Sequence, residues 1–139
     1  MIGKREGSWT VLIITRTKNG GAVAEWVASL EGRECRVLVD EPDKLWDHLK
    51  KGGIDAFMLD DVFPPDTPEM RQLAQVLTRI RPEPAIVFLV ARWDDYHHLC
   101  DLVDGRALLH RDNGPNMDDV YQYLAGQMKG DETALLVGY

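Results

Sequence analysis

Five short apolar segments, spaced along the 139-residue chain, constrain the fold more than any other feature of the sequence. They are rich in Val, Ile, Leu and Phe, and several show no alternation of polar and apolar residues. Segments that are apolar on both faces are typical of strands in a parallel sheet that is covered on both sides. We therefore predict strands at 10–15, 35–39, 54–59, 85–90 and 106–110.

Amphipathic helical patterns lie between and after these strands. Apolar residues recur there every three or four positions, which places them on one face of a helix. The five predicted helices carry these apolar residues: Val23, Trp26, Val27 and Leu30; Leu45, Trp46 and Leu49; Met70, Leu73, Leu77 and Ile80; Tyr96, Leu99, Cys100 and Val103; Val120, Leu124 and Met128. Asn116 is predicted to cap the fifth helix, since an Asn side chain accepts hydrogen bonds from the first free N–H groups.

Strict alternation of strand and helix with short loops implies right-handed crossovers and a doubly wound sheet. We predict an α/β fold of (βα)5 type, with a five-stranded, flavodoxin-like parallel sheet in the order 2-1-3-4-5. Ligands of such sheets bind at the carboxyl ends of the strands. The residues expected there are Thr15, Arg16, Asp60, Asp61, Val90, Ala91, His110 and Arg111.

Composition limits the classes of partner. Lys and Arg total 16 and Asp and Glu total 23, so the formal net charge is -7 and neither nucleic acid nor an anionic membrane is an expected partner. No apolar run approaches the length of about 18 residues that a transmembrane helix needs. The two cysteines, Cys35 and Cys100, lie in apolar runs, as buried thiols of a cytoplasmic protein do. We expect a flexible segment at 1–8, one domain at 9–129 and a tail at 130–139.

The end of the third predicted strand carries a family resemblance. The chain reads there Leu59–Asp60–Asp61–Val62–Phe63–Pro64. With the order of the elements, this segment resembles the receiver domain of bacterial response regulators, over about residues 9–129. The resemblance implies that Asp60 stands at the phosphoacceptor position and Phe63–Pro64 at a conserved apolar-Pro position of the family.

The same resemblance implies a role in two-component phosphorelay signalling through protein–protein contacts, without enzymatic activity. Its usual partner surface is formed by the fourth helix, the fifth strand and the fifth helix, and it is also a possible homodimer interface. On this chain that face would carry Trp93, Tyr96, His97, Tyr121 and Tyr123. Tyr and Trp suit such a surface because they combine a large apolar area with a polar group.

Three other receiver positions depart from the family pattern. Thr15 and Arg16 stand where receivers place the acidic pair that holds Mg²⁺. Val90 stands in place of the Thr or Ser that binds the phosphoryl group, and His110 in place of a Lys. The sequence therefore predicts a pseudo-receiver with a degenerate site, no metal and no cofactor. We expect Arg16 to form an ion pair with Asp60, and His110 to be a pH-sensitive donor to it.

Other functions remain open at this point. The first is a working response regulator that is phosphorylated on Asp60. The second is a small flavin- or nucleotide-binding protein, since the loop TRTKNGG after the first strand supplies hydroxyl groups and glycines. A purely structural role for Asp60 and Asp61 is a further alternative, because Asp often stabilises turns.

Overall fold

The computed structural model describes residues 9–60, 62–63, 67–80, 83–90, 108–110 and 116–128. The predicted fourth helix, the predicted flexible segment 1–8 and the predicted tail 130–139 lie outside the described residues. The complete (βα)5 repeat therefore stays a prediction. The sheet and the helices that lie in the described ranges are compared with their predictions below.

A parallel sheet forms the centre of the molecule. Its order is β2-β1-β3-β4-β5, and every neighbouring pair is parallel. The strands are β1 (Thr10–Thr15), β2 (Arg36–Asp40), β3 (Ala56–Asp60), β4 (Ala85–Val90) and β5 (Leu108–His110). The predicted α/β fold with a parallel sheet is confirmed. The bounds of β2 and β3 differ from the predicted ones by one or two residues, and residues 106–107 of the predicted fifth strand lie outside the described residues.

The structure describes four α-helices and one short 3-10 turn. They are α1 (Gly21–Glu31), a 3-10 turn (Pro42–Lys44), α2 (Leu45–Lys51), α3 (Pro68–Arg79) and α4 (Met117–Met128). Helix α4 is the fifth predicted helix, and Asn116 Oδ1 accepts hydrogen bonds from the N–H groups of Asp118 and Asp119, as predicted for a cap. Within the described ranges no helix is both long enough and apolar enough to cross a membrane.

Two apolar clusters, one on each face of the sheet, form the core. Val11 and Ile13 of β1 pack with α1 and α4, whereas Leu12 and Ile14 pack with α2 and α3. This division follows from the alternation of side chains along a strand. Since both faces of the central strands are covered by helices, the candidate site was expected at the carboxyl ends of the strands.

Two turns at helix ends have left-handed backbone. Gly52, which follows α2, has φ 74° and ψ -168°, a conformation that only glycine adopts readily. Glu34, between α1 and β2, has φ 66° and is the one non-glycine residue of the described ranges with positive φ. A left-handed conformation is unfavourable for a residue with a Cβ atom, so the turn at Glu34 is strained.

Candidate functional site

Two polar residues end neighbouring strands at the same edge of the sheet. Thr15 is the last residue of β1 and Asp60 the last residue of β3, and the two are partners in the strand register. Thr15 is 0% exposed and Asp60 is 1% exposed. The site residues Thr15 and Asp60, which are far apart in the sequence, are thus brought together as the strand order predicted.

A chain of hydrogen bonds connects the loop after β1 to the buried carboxylate. Thr15 Oγ1 donates to Asp60 Oδ2 at 2.7 Å and accepts a hydrogen bond from the Thr17 N–H at 3.1 Å. Thr17 Oγ1 also lies 3.1 Å from Thr15 Oγ1. Because a hydroxyl has a single proton, and that of Thr15 is directed to Asp60, the Thr17 hydroxyl is the donor to Thr15. A neutral hydroxyl, supported from the loop, therefore holds one oxygen of Asp60.

Arg16 has a different partner from the one expected. Its Nη2 donates to the carbonyl oxygen of Val62 at 2.9 Å, which links the loop after β1 to the loop after β3. The ion pairs within the described ranges are Lys18–Asp40, Arg33–Asp118 and His48–Asp40, so the ion pair of Arg16 with Asp60 is not formed. Burial explains the difference, because Asp60 is buried and a guanidinium next to it would lose its hydration, whereas Arg16 remains exposed while it is bonded to Val62.

The described residues at this edge do not fit the Mg²⁺ that the receiver resemblance implies. Mg²⁺ binds oxygen ligands and prefers carboxylates. The strand end next to Asp60 supplies a hydroxyl that donates to the carboxylate, followed by a guanidinium that is bound to Val62. The part of the chain that the structure describes contains no group of three His, Cys, Asp or Glu side chains able to hold a metal ion.

A second polar cluster, at the end of β2, was not predicted. Asp40 Oδ2 lies 2.9 Å from His48 Nε2, and Asp40 Oδ1 accepts the Glu41 N–H at 2.9 Å and lies 3.9 Å from Lys18 Nζ. Burial acts to raise the pKa of Asp40, but the hydrogen bonds from His48 and Glu41 and the charges of His48 and Lys18 together lower it. Asp40 is therefore ionised at neutral pH. The sequence did contain a signal for Asp40, because this residue directly follows an apolar run, as Asp60 does.

The other predicted site residues are described only in part. Val90 ends β4 and His110 ends β5, and the two are register partners, so their main chains meet at the same edge of the sheet as Thr15 and Asp60. Their side chains lie outside the described part of the chain, as does the whole of Asp61. The predicted partner-face residues Trp93, Tyr96 and His97 also lie outside it.

The structure corrects the expected position of Tyr123. This residue is 5% exposed and belongs to the core cluster beneath α1 and α4, so it is not on an accessible partner face. It extends the apolar stripe of Val120, Leu124 and Met128, one turn after Val120. Tyr121 is half-buried, and its ring stacks on Trp9 with centroids 5.5 Å apart, with Arg33 Cζ 5.2 Å from the ring centroid.

No protein family and no curated protein matches this chain by sequence. Solved structures of response regulators match it in fold. The non-phosphorylated receiver domain of the stress response regulator RcsB from Escherichia coli is 17% identical, with a TM-score of 0.66 over 93% of this chain and 99% of that chain. The isolated receiver domain of RcsB from Salmonella enterica serovar Typhimurium, with the phosphomimetic BeF3⁻, is 20% identical, with a TM-score of 0.66 over 93% of this chain and 94% of that chain.

A longer RcsB chain gives the same likeness. The RcsB response regulator of Salmonella typhimurium is 18% identical and has a TM-score of 0.66 over 94% of this chain. This chain spans 63% of the length of that regulator. The likeness therefore concerns the receiver domain, and at these identities it establishes a shared fold.

Proposed function

We propose that this chain is a cytoplasmic, receiver-like module of two-component signalling that is degenerate at its phosphorylation site and acts through protein–protein contacts. The observation that carries the proposal is the hydrogen bond from Thr15 to Asp60. Through this bond, the neutral hydroxyl of Thr15 binds one oxygen of Asp60, the residue at the phosphoacceptor position. Thr15 lies at the end of β1, where receivers place the acidic residues that hold a metal. The fold shared with the receiver domains of RcsB supports the assignment to this class.

The charges at the strand ends support the loss of phosphorylation. Phosphoryl transfer to a carboxylate brings negative oxygens against an anion, and bound cations normally neutralise that charge. Thr15 supplies no charge, and the guanidinium of Arg16 is hydrogen-bonded to Val62. The described residues around Asp60 thus offer neither a second carboxylate for a metal nor a cation directed at an incoming phosphoryl group.

Burial of the carboxylate points the same way. A phosphoryl donor must place its phosphorus atom in line with an oxygen of the attacking carboxylate. Asp60 is 1% exposed, and its Oδ2 accepts a 2.7 Å hydrogen bond. The Thr15 hydrogen bond takes up one acceptor position of Oδ2, and burial limits the approach of a donor to the rest of the carboxylate.

The proposal assigns the module to residues 9–129, with Asp60 at the phosphoacceptor position. A further helix between β4 and β5, in addition to α1–α4, completes the (βα)5 repeat. The degenerate site of the module also includes Asp61, Val90 and His110, at the ends of β3, β4 and β5. The protein partner binds the face that carries Trp93, Tyr96, His97 and Tyr121. Tyr123 supports that face from the core and does not contact the partner.

Intact-mass spectrometry after incubation with acetyl phosphate and Mg²⁺ tests the proposal. We expect no mass gain, and no change in the amide NMR signals of Thr15 and Asp60 when beryllofluoride is added with Mg²⁺. An Asp60→Asn variant is the matched control, since it removes the acceptor oxygen. A phosphoryl adduct on the wild type that this variant lacks would instead establish a working response regulator.

A further inference from the structure

Strand β2 is one edge of the sheet. It pairs with β1 on its inner side, and no strand of the described ranges pairs with its outer side. Leu38, at the middle of β2, is 38% exposed and is the one large hydrophobic residue left exposed in the described part of the chain. An edge strand with an exposed apolar side chain is a template for pairing with another strand.

Among the described residues, no neighbouring strand bonds to the main-chain groups on the outer side of β2. The Arg36 N–H donates to the Trp9 carbonyl at 2.7 Å, which fixes the ladder with β1. Since alternate residues of a strand direct their groups to the same side, Leu38 and Asp40 also bond to β1. Val37 and Val39 therefore direct their N–H and C=O groups to the open side of the sheet.

The side chains of β2 are complementary to their own reversed sequence. The strand reads Arg-Val-Leu-Val-Asp, so an antiparallel copy centred on Leu38 places Arg36 opposite Asp40. Arg36, Leu38 and Asp40 share one face of the sheet, because side chains alternate along a strand. Arg36 is exposed and forms no ion pair with the described residues, and Asp40 is ionised at neutral pH.

We propose that β2 binds a second copy of this chain, in an antiparallel arrangement whose two-fold axis passes beside Leu38. Val37 of each copy exchanges both of its main-chain hydrogen bonds with Val39 of the other, and the two sheets become continuous. Leu38 contacts Leu38 of the second copy, and Arg36 pairs with Asp40 of the second copy at both ends. These are the closely spaced positions of an antiparallel ladder, with Cα atoms about 4.5 Å apart.

Charge pairing favours this register over registers that are shifted along the strand. A shift of the second copy by two residues would place Arg36 opposite Leu38 and leave a charge without a partner. The centred register is also the one that pairs both charges at both ends, and it is closed by a two-fold axis, as most soluble dimers are. The contacts of Asp40 with His48, Glu41 and Lys18 are compatible with it, because an ionised carboxylate has about four acceptor positions.

The expected association is weak. One strand edge is much smaller than a standard interface of about 1,600 Å². The proposal therefore concerns a dimer that forms at high protein concentration, and it is independent of the proposed signalling function. It uses the edge at β2, whereas the partner face of that function lies around the C-terminal part of the sheet.

Sedimentation equilibrium of the full chain, with two charge-reversal variants, tests the proposal. Arg36→Glu places two acids opposite each other at both ends, and Asp40→Lys places two bases opposite each other. We expect each variant alone to associate at least tenfold more weakly than the wild type. A mixture of the two is expected to recover association, because every opposed pair then combines one acid with one base.

Glu25→Lys, a charge reversal on the exposed side of α1, is the matched control and is expected to leave the wild-type association unchanged. A mixture of the two β2 variants that stays monomeric would overturn the proposal. So would a wild type that is monomeric at millimolar concentration, as it would be if another segment covered the β2 edge. A dimer that is unaffected by both variants would place the interface elsewhere. Circular dichroism of each variant shows that it is folded.

Discussion

The hydroxyl of Thr15 donates a 2.7 Å hydrogen bond to the carboxylate of Asp60, and both side chains are buried. Removal of this donor with little change in shape is expected to leave a buried carboxylate short of a partner. We predict that Thr15→Val lowers the free energy of unfolding by about 1–3 kcal/mol, measured by urea denaturation. Thr15→Ser, which keeps the hydroxyl, should recover part of the loss. A Thr15→Val variant as stable as the wild type would contradict the arrangement.

Arg16 is bound to the Val62 carbonyl and forms no ion pair with Asp60 within 4 Å, so its energetic contribution should be independent of that carboxylate. We predict that the losses in stability for Arg16→Met and Asp60→Asn add in the double variant to within about 0.5 kcal/mol. Arg16→Met alone should cost about 0.5–1.5 kcal/mol, the value of one hydrogen bond. A coupling energy well above about 0.5 kcal/mol between the two substitutions would instead support the ion pair that was expected from the sequence.

A carboxylate at the end of β1 should create a metal site that the described residues of the native chain do not form. We predict that Thr15→Asp is less stable than the wild type without metal, because two buried carboxylates then face each other. Addition of Mg²⁺ should raise the melting temperature of this variant, since a ligand that binds the folded state stabilises it. The melting temperature of the wild type should not respond to Mg²⁺. Equal responses of the two proteins would indicate that the metal binds elsewhere.

The contacts of Asp40 should make the free energy of unfolding depend on pH in the acid range. Its pKa in the folded state is lowered, so its contribution is fully present above the ordinary aspartate pKa and is lost as the pH falls through the lower, folded value. We predict that Asp40→Asn is less stable than the wild type at neutral pH. The difference between the two should shrink below about pH 4, as measured by urea denaturation across the acid range. A difference that stays constant down to the acid limit would rule out this contribution.

Glu34 has left-handed backbone, which is unfavourable for any residue with a Cβ atom. We predict that Glu34→Gly raises the free energy of unfolding by about 0.5–1 kcal/mol, because relief of the strain exceeds the extra entropy of glycine in the unfolded chain. Glu31→Gly, at the last residue of α1, is the matched control and should lower stability by up to about 1 kcal/mol. If both substitutions destabilise to the same extent, the turn at Glu34 is not strained.

The sequence was informative where one local pattern determines a structure. Uninterrupted apolar runs predicted the parallel sheet, and the strand order then placed Thr15 beside Asp60 without knowledge of any side-chain contact. The resemblance to receiver domains drew attention to Asp60, and the fold of the RcsB receiver domains agrees with it.

The details that were missed depend on competition between long-range contacts. Arg16 was expected at Asp60, but the energy of burying a guanidinium and the nearness of the Val62 carbonyl are properties of the folded chain. Asp40 was left out because site residues were expected only at the ends of the first, third, fourth and fifth strands, and β2 is an edge strand of the sheet. Tyr123 was assigned to the surface from its residue type, although its spacing from Val120 and Leu124 already placed it on the buried stripe of α4.

The position of Thr15 and Asp60 at the ends of central strands has a kinetic consequence. Local opening of a protein begins at edges and termini, whereas the most buried strands exchange their amide protons only on global unfolding. Since β1 and β3 are interior strands of the sheet and buried on both faces, their ends should be among the last to open. A reagent directed at Asp60 would then react at a rate set by unfolding of the whole domain, and independent of the reagent concentration once the reaction is faster than refolding.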